Sequence, residues 1–249
     1  NQDTVRLWFT NPCGIGLDHK NSKFHASLKF MHSKSQADII GLAETNINWK
    51  LLPNNSSLHS RLKSNWKQFR SITSNNTTER MGKCQWGGTC TFTVNQVSLR
   101  AQDNDEDKTG LGRLTWISFQ GKNEYTTRVY TVYRTCLKPS NSKLTTVYDQ
   151  QLRYIRQSQL QIEPRKLFDR DIKNELSNQL AQGTNVVLMI DSNENVEEGC
   201  FSNMMESIGN TNAFKRNMPN KHTTMAQIQF SLSSYQRILA STKLGFFKK

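Results

Sequence analysis

The sequence predicts a layered α/β domain, and three observations support this prediction. Short β-prone runs alternate with segments of helical spacing along most of the 249 residues, a length that suits one or at most two domains. No stretch rich in Pro or Gly divides this body, and no internal repeat is visible. No run of about 18 apolar residues occurs, so no membrane span is predicted. Mixed strands and helices of this kind bury their apolar faces by stacking in layers.

Strand patterns dominate the first half of the chain. One helix is predicted over 22–34, where Phe24, Leu28 and Met31 recur at helical spacing. Strands are predicted where β-branched, aromatic and apolar residues run up to a turn former or a polar loop, namely over 5–10, 38–43, 66–72 and 89–94. The acid-rich stretch 103–107 is interpreted as a loop.

The second half mixes strands with longer helices, of which one starts at Pro164, a residue that suits the first helical turn. The predicted strands are 114–119, 128–133 (after a turn at 121–124) and 185–190, and the predicted helices are 145–161 and 164–180. Beyond Gly199 the pattern weakens, and helices are predicted over 201–208 and 223–239.

The charge of the chain indicates a polyanionic partner. Lys and Arg number 33 against 20 Asp and Glu, a formal net charge of +13. Such an excess most often serves nucleic-acid binding, although a basic but otherwise ordinary surface is the alternative. Seven Lys and Arg and one acid lie in 202–249, so the C-terminal fifth holds much of the excess.

The five cysteines predict reduced thiols. Their number is odd and no Cys-x-x-Cys pair occurs, so neither a disulfide framework nor a zinc site is expected. The first residues lack the order of a signal peptide. We therefore expect an intracellular protein, nuclear or cytoplasmic and not secreted. The chain begins with Asn1 rather than Met, as a fragment of a longer protein would.

Two carboxylates lie where apolar strands end. Glu44 follows the run I-I-G-L-A, and Asp191 follows V-V-L-M-I. Side chains at the carboxyl ends of buried strands commonly meet at one edge of a sheet, and carboxylate oxygens suit hard cations such as Mg²⁺ or Mn²⁺. The alternative is that each acid only marks where its strand reaches water.

Four motifs in order resemble the endonuclease/exonuclease/phosphatase family of metal-dependent phosphodiesterases. They are W-F-T-N ending at Asn11, I-I-G-L-A-E-T with Glu44, V-Y-T-V-Y-R-T with Tyr133, and L-M-I-D-S-N with Asp191 and Asn193, which is similar to the family's G-D-F-N. The resemblance covers about 4–197 and is nearest to endonuclease domains of non-LTR retroelements. It implies a four-layer α/β sandwich of two packed mixed β-sheets flanked by helices. The family-like core is predicted over 1–200, and a divergent basic segment over 201–249.

The resemblance also implies a role for each matching residue. Glu44 would hold Mg²⁺ or Mn²⁺, and Asn11 would support the cation and the scissile phosphate. Asp191 would orient or deprotonate the attacking water, and Asn193 would bond a phosphate oxygen. Tyr133 would place its hydroxyl against the phosphate. Structural alternatives remain open for three of these residues. Asn11 before Pro12 is a common turn former, Tyr133 could be a strand residue packed at a sheet surface, and Asn193 could cap a loop.

The chain departs from the family pattern at several positions. Cys13 and Asn46 stand where the family often has an acid and a lysine. The family's late Ser-Asp-His is missing, no Asp follows Asp191, and we interpret His222 as a surface residue. We therefore expect the last strands to be lost or replaced, leaving the fold incomplete at its C-terminus, as truncation or a frame change in a retroelement copy would do.

The function predicted from these features is a Mg²⁺-dependent DNA endonuclease of retroelement type. Two alternatives stay open: an inactive nucleic-acid-binding remnant of the same fold, and a phosphatase acting on small phosphoesters. Nucleic acid is the expected partner, DNA before RNA, and no membrane is expected. The candidate phosphate contacts are Arg113, Lys122, Arg128 and Arg134, with Lys67, Arg70 and Arg100 as further basic residues, although each could simply belong to a solvated face.

Overall fold

The structure is a computed structural model that describes residues 5–16, 23–79, 82–121, 125–138, 146–194, 199–209, 211–212 and 227–231. The strands are β1 Leu7–Thr10, β2 Ile39–Ala43, β3 Phe69–Ser74, β4 Thr89–Val94, β5 Ala101–Glu106, β6 Leu114–Gln120, β7 Thr126–Tyr133, β8 Asn185–Asp191, β9 Thr211–Asn212 and β10 Gln227–Ser231. The α-helices are α1 Lys23–Phe30, α2 Leu58–Lys63, α3 Asn95–Ser98, α4 Val147–Gln157, α5 Pro164–Ala181 and α6 Cys200–Ser207. Within this part of the chain no helix is long and apolar enough to cross a membrane.

The first sheet contains four strands in the order β1-β2-β4-β3. Strands β1 and β2 are parallel because α1 and the π-helical turn after it carry the chain back between them, and β4 is antiparallel to both of its neighbours. All four strands predicted in this half are present, and the prediction over 89–94 matches β4 at both ends.

The second sheet contains six strands in the order β5-β6-β7-β8-β10-β9. Strands β7 and β8 are parallel, with α4 and α5 between them in sequence. The prediction of a loop over 103–107 is wrong, because β5 pairs with β6 at the edge of this sheet. Acidic residues weaken the strand signal in a sequence, but an edge strand tolerates charges that face solvent.

A strand lies where the sequence suggested a helix or a lost element. The predicted helix over 223–239 is wrong at Gln227–Ser231, which forms β10 and pairs antiparallel with β8. Its remaining residues, and the turn predicted at 121–124 beyond residue 121, lie outside the described residues. Pairing with β10 satisfies the backbone groups along the free side of β8, which outweighs a weak helical pattern.

Three apolar clusters separate four layers. The first lies between α1, α2 and the outer face of the first sheet, where Leu28 and Leu62 cover Ile40. The second fills the space between the two sheets, and the third packs the second sheet against α5 and α6, with Phe168 and Phe201. The predicted four-layer sandwich of two mixed sheets flanked by helices is therefore confirmed.

Strand alternation assigns each side chain to one of these layers. In β1, Leu7 and Phe9 face the other sheet and Trp8 faces outward; in β8, Val187 and Met189 face inward. The two sheets come especially close at Gly41, where an added Cβ would lie 2.5 Å from Thr131 Oγ1 and 2.7 Å from Met189 Cε. Only glycine leaves room for this approach.

The helices in the second half agree with the predictions over 145–161 and 164–180, apart from their ends. Thr146 caps α4 through a complete capping box with Asp149, and Pro164 occupies the first turn of α5. The predicted helix over 22–34 is shorter as an α-helix, since α1 ends at Phe30 and a π-helical turn covers Met31–Ser35.

Candidate functional site

The site lies where two parallel strand pairs end, one pair in each sheet. Asn11 follows β1 and Glu44 follows β2, while Tyr133 and Asp191 end β7 and β8 and are paired in register. Continued alternation places Asn11 with the inward residues Leu7 and Phe9, and it places Asp191 with Val187 and Met189. The carboxyl ends of both sheets thus direct polar side chains to the same end of the space between them.

Asn11 joins the two acids. Its Nδ2 donates to Glu44 Oε2 at 2.8 Å and to Asp191 Oδ2 at 2.6 Å. The Tyr133 hydroxyl donates to Glu44 Oε1 at 3.1 Å. Both carboxylates are therefore held by neutral donors, and no ion pair joins either of them to a basic side chain within the described residues.

The backbone of this site is strained. Of the seven non-glycine residues with positive φ in the described chain, four are Cys13, Glu44, Asn46 and Asn193, with φ of 49°, 54°, 56° and 48°. Strict alternation after β2 would place Glu44 on the outer face with Ile40. The left-handed conformation at Glu44 breaks that alternation, so its carboxylate reaches the inward-facing Asn11. Such strain tends to cluster at functional sites.

Burial and charge shift the proton affinities of two groups here. Burial first, and then the negative charge of Glu44, raise the pKa of Asp191 to about 6, although hydrogen bonds from Asn11 and the Asn193 amide oppose the shift. Burial, followed by the Glu44 charge, also raises the pKa of the Tyr133 phenol far above its usual value. Tyr133 therefore keeps its hydroxyl proton at neutral pH, whereas Asp191 gains or loses its proton near pH 6.

The donor set suits a hard divalent cation. Two carboxylates share one end of the sandwich, with an amide and a hydroxyl between them, and no described basic side chain balances their negative charge. Among the described residues no group of three or more His, Cys, Asp and Glu forms a metal cluster. Mg²⁺ is commonly held by only one or two carboxylates and keeps several waters, so Glu44 fits this cation, with Asp191 beside it.

Asn193 lies beside these acids with its amide already oriented. Its backbone N–H donates to Asp191 Oδ1 at 3.2 Å, and its Nδ2 donates to the Arg134 carbonyl oxygen at 2.7 Å. Cys136 Sγ lies 3.0 Å from Asn193 Oδ1 and donates to it. An amide nitrogen carries two hydrogens, and no described residue accepts the second one, so it can bind a ligand. Cys136 carries no signal in the sequence, because a lone cysteine after a strand fits many roles.

Two of the predicted phosphate contacts are buried in ion pairs, which corrects the expectation for them. The Arg113 side chain is 3% exposed and is bonded to Asp107 and Asp171. The Arg134 side chain is 4% exposed, and its Nε and Nη2 both bond Asp169 at 2.7 Å. Both arginines therefore have a structural role. If either guanidinium moved to bind a phosphate, the buried carboxylates that it pairs with would be left without a counter-charge.

The structure places neither of the other two predicted phosphate contacts, Arg128 and Lys122, at the site. Arg128 packs 3.7 Å above the Trp116 ring and bonds Glu175, on the outer side of the second sheet and away from the carboxylates. Lys122 lies outside the described residues.

A loop that sequence reasoning missed borders the site. Asn46 N donates to the Gly87 carbonyl at 2.8 Å, and Asn46 Oδ1 accepts from Gly87 N at 2.7 Å. These bonds fix residues 83–88 beside Glu44. Trp86 in this loop is nevertheless 53% exposed, and Lys83 is exposed without an ion pair to any described residue. A tryptophan between Gln85 and the glycine pair Gly87-Gly88 was the signal in the sequence that could have found it.

The described histidines are distant from the carboxylates. His25 lies in α1, while His32 and His59 contact Trp66 and Phe69 on the layer that covers the first sheet. The described hydrogen bonds of Glu44 and Asp191 come instead from Asn11, the Tyr133 hydroxyl and the Asn193 N–H. His19 and His222 lie outside it.

Comparison with known proteins identifies the fold. No family model matches the chain, and no curated protein matches its sequence. Its structure is similar to the catalytic domain of APE2 from Xenopus laevis, with a TM-score of 0.60 and 14% identity over 90% of this chain and 81% of that one. It is also similar to the 3′ phosphatase NExo from Neisseria, bound to a product DNA hairpin, with a TM-score of 0.58 and 12% identity over 90% and 85% of the two chains.

A third similar structure carries the family name itself. The endonuclease/exonuclease/phosphatase family protein from Leptotrichia buccalis matches with a TM-score of 0.51 and 11% identity, over 83% of this chain and 80% of that one. The chain therefore has the endonuclease/exonuclease/phosphatase fold. At these identities the similarity shows the fold alone, and activity has to be argued from the site.

Proposed function

We propose that this protein is a divalent-metal-dependent phosphodiesterase that nicks DNA, of the type found in retroelement endonucleases. The observation that carries the proposal is the pair of carboxylates, Glu44 and Asp191, joined by the Asn11 amide and bordered by the Tyr133 hydroxyl. Mg²⁺ or Mn²⁺ bound there would offset the negative charge that develops on the phosphoryl oxygens.

Each side chain has a definable part in such a reaction. Glu44 would hold the cation. Asp191, with a pKa of about 6, is ionised above that pH and would take a proton from the attacking water. The Asn193 amide hydrogen that no described residue accepts would donate to a phosphate oxygen, and the Tyr133 hydroxyl would do the same by turning from Glu44 to the phosphate. Asn11 keeps the two carboxylates at a fixed separation, so both act on the same phosphate.

Three observations favour nucleic acid over a small phosphoester. The net charge of +13 suits a polyanion. The exposed Lys83 and Trp86 lie on a loop fixed to the Glu44 segment and offer a phosphate contact and a stacking surface. One similar structure, NExo, is bound to a DNA hairpin. No disulfide joins any of the five cysteines, in keeping with the proposed intracellular location.

The decisive test is nicking of supercoiled plasmid in Mg²⁺, with and without EDTA. We expect nicking that EDTA abolishes and that Glu44→Ala and Asp191→Ala each reduce by at least about 100-fold. Glu175→Ala is the matched control, since this carboxylate pairs with Arg128 on the outer side of the second sheet, away from Glu44 and Asp191. Equal nicking by all variants would contradict the proposal.

A second candidate is an inactive nucleic-acid-binding remnant of this fold. It is favoured by the missing late Ser-Asp-His and by the packing of His32 and His59 on the layer outside the first sheet, since a catalytic imidazole would contribute strongly to turnover. DNA binding with a steep salt dependence but without nicking would support it. The phosphatase alternative predicts release of phosphate from small phosphomonoesters, which the same protein samples can be used to measure.

Trp86 separates nucleic acid from small substrates. Because base–aromatic stacking contributes about 1–3 kcal/mol, Trp86→Ala should raise the KM for DNA by about 5- to 150-fold, whereas Trp86→Phe retains a stacking ring. If Trp86→Ala leaves the KM for DNA unchanged, the indole takes no part in binding the substrate.

A further inference from the structure

The loop that follows Asp191 is anchored by two buried arginines. Arg134 Nη1 donates to the Ser192 carbonyl oxygen at 3.3 Å, and Arg165 Nη1 donates to the Asn193 carbonyl oxygen at 3.2 Å. Two consecutive backbone carbonyl groups after Asp191 are thus each bonded by an arginine from a different part of the chain. Arg134 directly follows β7, and Arg165 lies in the first turn of α5.

Glu194 connects these arginines to the next helix. Its Oε2 accepts from Arg134 Nη1 at 2.9 Å and from Arg165 Nη2 at 3.4 Å. Its Oε1 accepts from the backbone N–H groups of Phe201 at 2.7 Å and Ser202 at 3.3 Å. Helix α6 has no side-chain cap from its own N-cap residue, so the Glu194 carboxylate replaces one and lies where the helix dipole favours a negative charge.

The network is compact and electrically balanced. The side chains of Arg134, Arg165, Glu194 and Asp169 are 4%, 9%, 12% and 20% exposed, and two positive charges face two negative ones. Charge-assisted hydrogen bonds in such surroundings are strong, and a satisfied buried network makes the attached backbone rigid. Loss of one member leaves charges and donors unpaired.

This rigidity reaches the Asp191 carboxylate through Asn193. The left-handed conformation of Asn193, with φ of 48°, directs its N–H to Asp191 Oδ1. The other carboxylate oxygen then faces Asn11. A loop released from the arginines would relax to a less strained conformation, and the Asn193 N–H would no longer orient Asp191.

We propose that Glu194 is a positioning residue, which holds Asp191 and Asn193 in their working orientation through Arg134 and Arg165. The proposal rests on the proposed phosphodiesterase activity of the same site. It assigns the buried Arg134 to the support of the site instead of to a phosphate contact. Glu194 itself needs no contact with the substrate.

The test compares Glu194→Gln with Glu175→Gln. Glu175 lies on α5, accepts from the Tyr130 hydroxyl at 2.7 Å and pairs with Arg128, so the control loses the same charge beside an arginine without touching the site loop. For folded protein well below its Tm, we expect Glu194→Gln to lower kcat for plasmid nicking by about 10–100-fold with an unchanged KM. Glu175→Gln should stay within about twofold of the wild type.

A second measurement keeps the proposal testable if the wild type does not nick DNA, which would be a failure of the proposed function. The Asn193 side-chain amide donates one hydrogen to a backbone carbonyl at 2.7 Å, so this hydrogen should exchange slowly in ¹⁵N-edited NMR spectra. We expect Glu194→Gln, and not Glu175→Gln, to shift this resonance and speed its exchange. If the amide keeps its shift and protection in Glu194→Gln, or if kcat is unaffected, Glu194 does not position the site.

Discussion

Replacing Asp191 with Asn should stabilise the folded protein while removing its activity. The folded state raises the pKa of this carboxyl from the ordinary 3.8 to about 6, chiefly through burial and the nearby Glu44 charge. Because the raised pKa means that the folded state favours the protonated form, ionising Asp191 lowers the free energy of unfolding. This penalty is absent below about pH 4, grows as the pH rises, and is complete above about pH 6.

The structure sets the magnitude. A displacement of the pKa from 3.8 to about 6 corresponds to about 3 kcal/mol. Asn cannot reproduce both bonds that Asp191 accepts, from Asn11 Nδ2 and from the Asn193 N–H, and the loss of one costs about 1 kcal/mol. The net gain of about 2 kcal/mol at pH 7.5 should raise the Tm by about 4–8 °C for a chain of this length.

Thermal unfolding of metal-free protein in EDTA, followed by circular dichroism at several pH values, measures this effect. The advantage of Asp191→Asn should be largest at pH 7.5 and should shrink toward pH 4. Asp107→Asn is a control in which the stability should change in the opposite direction. Burial acts to raise the pKa of Asp107, but the Arg113 charge and the hydrogen bonds from Arg113 and Thr109 hold this pKa below its usual value. Asp107 therefore stabilises the fold above its unfolded pKa, and its replacement should lower the Tm at pH 7.5. An Asp191→Asn protein that is no more stable at pH 7.5, or whose advantage is the same at every pH, would refute the reasoning.

Three further changes test packing, capping and charge. Gly41→Ala places a Cβ 2.5 Å from Thr131 Oγ1 between the sheets, so urea unfolding should show that the free energy of unfolding falls by about 1–3 kcal/mol. An unchanged urea midpoint would mean that the two sheets can move apart there without cost. Thr146→Ala removes the cap of α4 and should cost about 1 kcal/mol by the same assay, whereas an unaltered stability would show that water replaces the cap. Lys83→Ala should reduce the slope of log affinity for DNA against log salt concentration by about 1. Arg113→Lys should leave this slope unchanged, because the Arg113 side chain is buried. The reverse pattern would mean that the DNA binds elsewhere.

The sequence predicted elements well where local pattern and tertiary environment agree. The continuous apolar run that forms β8 is buried on both faces, so its pattern and its structure coincide. Strand β5 was missed because its acidic residues carry no strand signal, and only pairing with β6 makes it a strand. Strand β10 was missed for the same physical reason, since the partner that stabilises it is β8, far away in the sequence.

The candidate site shows the same division. Glu44 and Asp191 could be singled out because each ends an apolar strand. Arg113 and Arg134 look like any exposed arginine in a sequence, and their burial depends on acids that the fold brings to them. Lys83 acquires its significance only from the bonds that fix its loop beside Glu44.

By itself the sequence determined which polar residues end the strands and which faces of those strands are apolar, because both are local properties of the chain. The tertiary structure decided that the ends of two separate sheets meet, so that the Asn11 amide spans Glu44 from one sheet and Asp191 from the other. It also decided the raised pKa of Asp191, since burial and the approach of a second carboxylate exist only after the two sheets have packed together.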